Sequence, residues 1–201
     1  MARIPMIPGE QMPEELRQLL DAGNKTPLEL GNLRIYAHRP ELAMAYAQFM
    51  GVLRGHRTLS SRLVELVRLR VAFHNQCRSC MAVRYADGLE DGVTEDLVCQ
   101  LESPGDAEDL TPAERAALAF ADLFATNHLA ITDETIAGLR EHFSDGEVVE
   151  LGLNIATYVG FGRLSMAWDM VDELPERFRD RSGAVIAPWG ADDAIVLGAT
   201  R

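Results

Sequence analysis

Residues 61–80 read Ser61-Arg-Leu-Val-Glu65-Leu-Val-Arg68-Leu-Arg-Val-Ala-Phe-His74-Asn75-Gln-Cys77-Arg78-Ser-Cys80. In the first two-thirds, Val64, Leu66, Val67, Leu69, Val71 and Phe73 fall on almost every side of a 3.6-residue helix. A helix that is apolar nearly all round is a buried one. Ser60 or Ser61 can cap its start. Asn75 is the expected N-cap of a following helix from Gln76 to about Asp87, stopped at Gly88. That helix would carry Cys77 and Cys80 on one face, because residues three apart are neighbours on a helix surface.

Further helices follow on both sides. Met12 to Ala22 has helical apolar spacing, with Pro13 near its start, and Arg39-Pro-Glu-Leu42 opens another helix. Thr94 to Leu101 is a short one. Thr111-Pro-Ala-Glu114 reads as a capping box with proline at the first helical position, ahead of Ala113 to Ala125. Thr132 or Asp133 opens Glu134 to His142, and Ser144-Asp-Gly-Glu147 is a second capping box leading a long helix toward Trp168. No convincing period-2 strand precedes the tail, so the expected fold class is all-α. The tail, from about Gly183, reads Ala184-Val-Ile-Ala-Pro-Trp189 and then Ala194-Ile-Val-Leu197. It is short and broken, and suits packing on the core or on a neighbouring subunit.

The chain has 201 residues, a net charge of −12, 47% hydrophobic residues and three cysteines. That length suits a single domain with a core large enough to need no disulfide or structural metal. The negative charge disfavours nucleic acid and anionic membrane surfaces. No signal-peptide or membrane-spanning run is visible, so the expected location is the cytoplasm, where a purely structural disulfide is uncommon. Two close cysteines there point to redox chemistry or metal.

At a helix N-terminus, unsatisfied N–H groups and the helix dipole favour the thiolate, and a second thiol nearby can close an intramolecular disulfide. Arg78 and Arg84 add positive charge. A zinc site would need Cys77, Cys80, His74 and distant Cys99; no second C-x-x-C or H-x-x-x-H exists, and no metal or cofactor is expected. Cys99, beside Val98 and Leu101, reads as a small buried hydrophobe. Glu65 is either a desolvated carboxyl fit for proton transfer or a surface residue paired with Arg68 at i+3.

A shift of 85 residues places Val64-Glu-Leu66 on Val149-Glu-Leu151, Arg78 on Arg163, Met81 on Met166, Ala82 on Ala167 and Asp87 on Asp172. Cys77 then meets Gly162 and Cys80 meets Ser165. The echo suggests a duplicated helical unit with reactive residues in the first copy, set against chance similarity of two amphipathic helices.

Glu65, Cys77 and Cys80, with the surrounding 64–80 text, resemble the E-x11-C-x-x-C-x-x-x-H signature of the carboxymuconolactone decarboxylase-like superfamily, in its alkylhydroperoxidase D (AhpD)-like branch. Leu118-Ala-Phe-Ala-Asp122 and Phe143 to Leu151 resemble it too, and the likeness covers about residues 30–172. The resemblance implies an all-helical bundle of two related halves forming homo-oligomers, trimers or hexamers. It divides a single helical domain, 1–201, into a redox half at 30–105, a related half at 106–172 and a tail at 173–201.

It also implies a thiol-dependent hydroperoxide reductase, an antioxidant peroxiredoxin-type activity drawing on an external dithiol donor. Cys80 would be the attacking thiol, Cys77 its partner and Glu65 the proton relay. The closing His of the signature is Arg84 here, and the residue that is His between the cysteines of AhpD is Ser79. Arginine cannot serve as a base near neutral pH but can hold a thiolate by charge. His74, three residues before Cys77, is a candidate substitute base, against the commoner fate of a satisfied His at a helix end. Tyr85 is a further relay candidate. Two alternatives stand beside the peroxidase reading. One is a carboxymuconolactone decarboxylase-like lyase that binds a small carboxylated lactone through Arg84, Arg78 or Arg163. The other is a non-catalytic redox sensor.

Overall fold

The computed structural model describes residues 1–191 and 193–198, so the last residues of the expected tail, and Asp192, lie outside the described residues. In chain order the helices are α1 (Glu14–Leu20), α2 (Pro27–Leu30), α3 (Leu33–Tyr36), α4 (Pro40–Gly55), α5 (Ser61–Asn75), α6 (Arg78–Ala82), α7 (Ala86–Glu90), α8 (Glu95–Gln100), α9 (Pro112–Thr126), α10 (Asp133–Arg140) and α11 (Asp145–Trp168). Four short 3-10 helices (Gly9–Gln11, Ala22–Asn24, His128–Ala130 and Glu176–Arg179) and two three-residue strands, β1 (Val83–Tyr85) and β2 (Ile195–Leu197), complete the described elements. The protein is all-α in class.

Helix α5 is the axis of the molecule, and its all-round apolarity is the reason. Leu66, Val67, Leu69 and Val71 are fully buried, packed against Leu118 and Ala121 of α9 and Leu151 and Ile155 of α11. Its start is capped by Ser60, whose hydroxyl accepts from Leu63 N–H. The capping boxes at Thr111 and Ser144 form as their sequences imply, and start α9 and α11. A second apolar cluster joins Met12, Leu16, Leu20, Leu30 and Ala43 at the N-terminal side. The third lies beneath the cysteines, where Ala72, Met81 and Ala82 meet Val171, Leu174, Phe178 and Ala191.

The segment after α5 departs from expectation. Asn75 is not an N-cap but the last residue of α5; its side-chain amide donates to Tyr158 O at 2.8 Å. Gln76 turns into the left-handed region, φ 51°, and ends the helix, while Cys77 N–H donates back to Ala72 O at 3.0 Å. Cys77 is therefore itself the N-cap of α6. The single helix expected from Gln76 to Asp87 is two short helices separated by β1, and the absence of strands before the tail is corrected with it. The reason is distant in sequence: the tail returns and pairs parallel, Val83 with Ile195, Arg84 with Val196, Tyr85 with Leu197. Gly88 is no helix stop. A Cβ there would lie 2.8 Å from the Cβ of Glu65, so glycine lets α7 press on α5.

The tail lies on the protein's own core. Gln76 exchanges hydrogen bonds with Ile186, Arg78 donates to Ala184 O, Arg84 to Pro188 O, and Arg177 to Ala187 O and Trp189 O. Among the described residues no helix is long and apolar enough to cross a membrane.

Candidate active site

Cys77 and Cys80 are joined as a disulfide, with Cα atoms 5.2 Å apart. The two sulfurs have different surroundings. Cys77 is fully buried, beneath the tail, whereas Cys80 is partly exposed and lines a cavity of about 590 Å³. That asymmetry follows from the backbone: Cys77 is the N-cap folded back on α5, and Cys80 lies almost one helical turn further, facing α4 and α11 across the cavity.

Glu65 lines the same cavity, on the face of α5 shared by Ser61, Arg68 and Ala72. It is 3% exposed, so it is not the surface residue of the second alternative, although it does pair with Arg68 at i+3. Arg68 Nε and Nη2 each donate to one carboxylate oxygen at 2.7 Å, and Tyr85 N–H donates to Oε1 at 3.2 Å. Arg68 also donates to the carbonyls of Cys80, 2.5 Å, and Val83, 2.7 Å. Burial alone would pull the guanidinium down; the Glu65 charge and hydrogen bonds outweigh it, and Arg68 titrates above its ordinary value. One buried ion pair thus spans from α5 to the backbone that carries Cys80.

Three tyrosines complete the wall: Tyr46 from α4, Tyr85 from β1 and Tyr158 from α11. The Arg68 guanidinium sits 4.9 Å from the centre of the Tyr85 ring, within cation–π range. Burial pushes the phenols of Tyr46 and Tyr158 above their ordinary value, so both stay protonated as donors at neutral pH. Tyr158 O–H donates a hydrogen bond to Asn154 Oδ1 at 3.2 Å.

His74 and Arg84 are placed elsewhere, and neither lines the cavity. His74 Nε2 is 2.7 Å from Asp122 Oδ1, beside Arg70, which binds both oxygens of Asp122. Arg84 is 1% exposed; it forms an ion pair with Glu95 and ties down Pro188 O. Arg78 donates to Gln76 Oε1 and Ala184 O, and Arg163 to Asn75 Oδ1 and Ala125 O. The positive charge expected at the site from Arg78 and Arg84 is therefore supplied instead by Arg34, Arg54, Arg57 and Arg68, which line the cavity. Cys99 is exposed, not buried, because Leu97, Val98 and Leu101 take the inner face of α8. Sequence reasoning passed over Arg68 as a site residue, and over Tyr46, Arg54 and Tyr158. Arg68 carries a signal in its i+3 spacing from Glu65, whereas Tyr46, Arg54 and Tyr158 carry none, since they meet only where α4 and α11 pack around the cavity.

The site and fold define an all-helical protein with a C-x-x-C disulfide at a cavity wall, beside a buried Glu–Arg pair. Comparison with known proteins places it further. Residues 40–123 match the carboxymuconolactone decarboxylase family. Uncharacterized protein Rv2313c of Mycobacterium tuberculosis is 33% identical over 121 residues, 59% of this chain and 42% of that protein. The chain therefore spans less than half of that relative's length. Uncharacterized protein YdfG of Bacillus subtilis is 28% identical over 51% of this chain and 71% of its own. Among solved structures, an uncharacterized peroxidase-related protein with an alkylhydroperoxidase AhpD core, from Ralstonia eutropha, superposes with a TM-score of 0.73 over 89% of this chain and 94% of that one, at 21% identity. An uncharacterized peroxidase-related protein from Silicibacter sp. gives 0.68 over the same shares, at 18% identity. At these identities the structural likeness speaks for the fold alone.

Proposed function

We propose that this protein is a thiol-dependent hydroperoxide reductase of the AhpD-like kind. The observation that carries the reading is the Cys77–Cys80 disulfide with Cys80 alone at the cavity wall. In the reduced state the Cys80 thiolate attacks the terminal peroxide oxygen. The O–O bond breaks, Cys80 becomes a sulfenic acid, and the alkoxide takes a proton and leaves as alcohol. Cys77, as thiolate, attacks the Cys80 sulfur; the S–O bond breaks and hydroxide leaves, protonated to water. Two electrons pass from the dithiol to the peroxide, and an external dithiol returns them. Glu65 serves as proton acceptor and donor across the cavity, held by Arg68, and Tyr85 fixes one of its oxygens through its backbone N–H. His74 and Arg84 have structural parts in this scheme: His74 in the Asp122 cluster, Arg84 in pinning the tail.

The test is peroxide consumption with a small dithiol as donor. Cys80→Ser should abolish turnover, Cys77→Ser should trap the sulfenic acid for dimedone labelling, and Glu65→Gln should slow turnover by about 10²-fold or more. Full activity in Cys80→Ser refutes the assignment. Turnover of a carboxylated lactone by the Cys77/Cys80 double variant would favour the lyase. A disulfide that forms reversibly without peroxide turnover would favour a sensor.

The reading extends to assembly and ancestry. The chain acts as a homo-oligomer, a trimer or hexamer, and two exposed apolar stripes support this: Leu42, Phe49 and Val52 on α4, and Val149, Leu153 and Leu164 on α11. Helices α5 and α11, packed on each other with their caps Ser60 and Ser144 at nearly the echo's spacing, are the paired cores of the two related halves. Sedimentation velocity tests the assembly.

A further inference from the structure

Four arginines line the cavity beside Cys80. Arg34 pairs with Glu173, Arg57 with Asp87 and Arg68 with Glu65. Arg54 makes no ion pair among the described residues. It projects from α4, partly buried, with its guanidinium 5.8 Å from the centre of the Tyr85 ring. Its charge is felt by the phenols of Tyr46 and Tyr158. Tyr46 also lines the cavity; its hydroxyl makes no hydrogen bond among the described residues, and burial keeps its proton on at neutral pH. An uncompensated guanidinium and a phenol donor thus face one space in a chain whose net charge is −12. Leu28, Met50, Leu53, Phe161 and Leu174 add hydrocarbon to the walls of that space, alongside polar side chains that include Lys25, Glu29 and Asp172. Its volume of about 590 Å³ lies within the roughly 300–1,000 Å³ of small-molecule sites.

We infer that Arg54 and Tyr46 form a carboxylate-binding pair, and that the site takes an amphiphilic monoanion: a carboxylic acid with a medium-length or longer hydrocarbon chain. A guanidinium matches a carboxylate through two parallel charge-assisted hydrogen bonds, and the low-dielectric wall strengthens them. With the acid end held at α4, the hydrocarbon lies across the apolar wall toward Cys80. Under the dithiol reading the substrate is then an acid that carries a hydroperoxide on its chain. The chemistry that supplies it is oxygenation of unsaturated fatty acyl carboxylates.

Two measurements test this, and only the second rests on the dithiol reading. Isothermal titration of the disulfide form with octanoate and with 1-octanol compares the same chain with and without the charge. Octanoate should bind at least about tenfold tighter. Arg54→Gln should remove that preference, Arg54→Lys should keep part of it, and Tyr46→Phe should weaken octanoate a few-fold. Equal binding of the two ligands by the wild type overturns the inference, as does a preference that survives in a folded Arg54→Gln protein. In the second measurement, KM for linoleate hydroperoxide should lie well below KM for its methyl ester, and Arg54→Gln should close the gap. An octanoate preference without turnover of either peroxide would sustain the carboxylate site and refute the peroxidase reading. Turnover of both with no KM gap would do the reverse.

Discussion

Replacing Arg68 by Met removes the cation of the buried pair while keeping most of its length. Three acceptors lose a hydrogen bond at once: the Glu65 carboxylate and the carbonyls of Cys80 and Val83, the last of which keeps Arg84 Nη1 at 3.2 Å. Glu65 is 3% exposed and keeps one backbone donor, Tyr85 N–H. Breaking one side of a buried ion pair costs about 3–5 kcal/mol, against about 0–1 for a pair in water. The Cys80 carbonyl adds roughly 1 kcal/mol where water does not reach it. Urea unfolding followed by circular dichroism should therefore show a midpoint lowered by more than about 1 M. The double variant Glu65→Leu/Arg68→Met deletes both charges and should be more stable than Arg68→Met alone by at least about 1 kcal/mol, since no charge is left buried without a partner. A single variant within about 1 kcal/mol of wild type would refute the reasoning, and so would a double variant no more stable than the single.

Gly88→Ala should cost about 1–3 kcal/mol and lower peroxide turnover, because its Cβ would press on the Cβ and Cγ of Glu65 at 2.8 and 2.9 Å; thermal melts and kinetics check both. Asp122 is held below its ordinary value: burial pushes it up, but hydrogen bonds from His74 and Arg70 outweigh that. Because the folded-state value is the lower one, its contribution is full above the unfolded value of about 3.9 and fades as pH falls below it. The stability gap between wild type and Asp122→Asn should accordingly shrink from pH 6 to pH 3 in urea titrations. In the reduced protein, iodoacetamide should modify Cys80 and exposed Cys99 well before buried Cys77, as read by peptide mapping. Arg84→Met should loosen the tail at Pro188 and speed the labelling of Cys77 in the same assay.

Local signals in the sequence were read well where they were strong. The boxes at Thr111 and Ser144 and the cap at Ser60 lie where the chain says, since a cap and its helix are a few residues apart. The break after α5 was not legible, because it rests on Gln76 in a left-handed conformation that glycine usually takes, and on strands whose partners, Val83 and Ile195, are far apart in the chain. His74 takes the commoner of its two expected fates, a satisfied His at a helix end, and its spacing carries the reason. At about 100° per residue, its nine-residue separation from Glu65 puts it half a turn out of phase, on the side of α5 that meets Asp122. Cys99, expected to be buried, is exposed because it lies opposite Leu97 and Leu101 on α8. Glu65 and the two cysteines were legible from their spacing; Arg54, Tyr46 and Tyr158 were not, because they become neighbours only when α4, α5 and α11 pack around one cavity.

The most direct test of the central claim is mass spectrometry of the fully reduced protein after one equivalent of an organic hydroperoxide. The account predicts loss of two hydrogens, a single Cys77–Cys80 disulfide in the peptide map, Cys99 unchanged, and one equivalent of alcohol released. Cys77 and Cys80 still reduced in the folded protein, with the peroxide unconsumed, would contradict it.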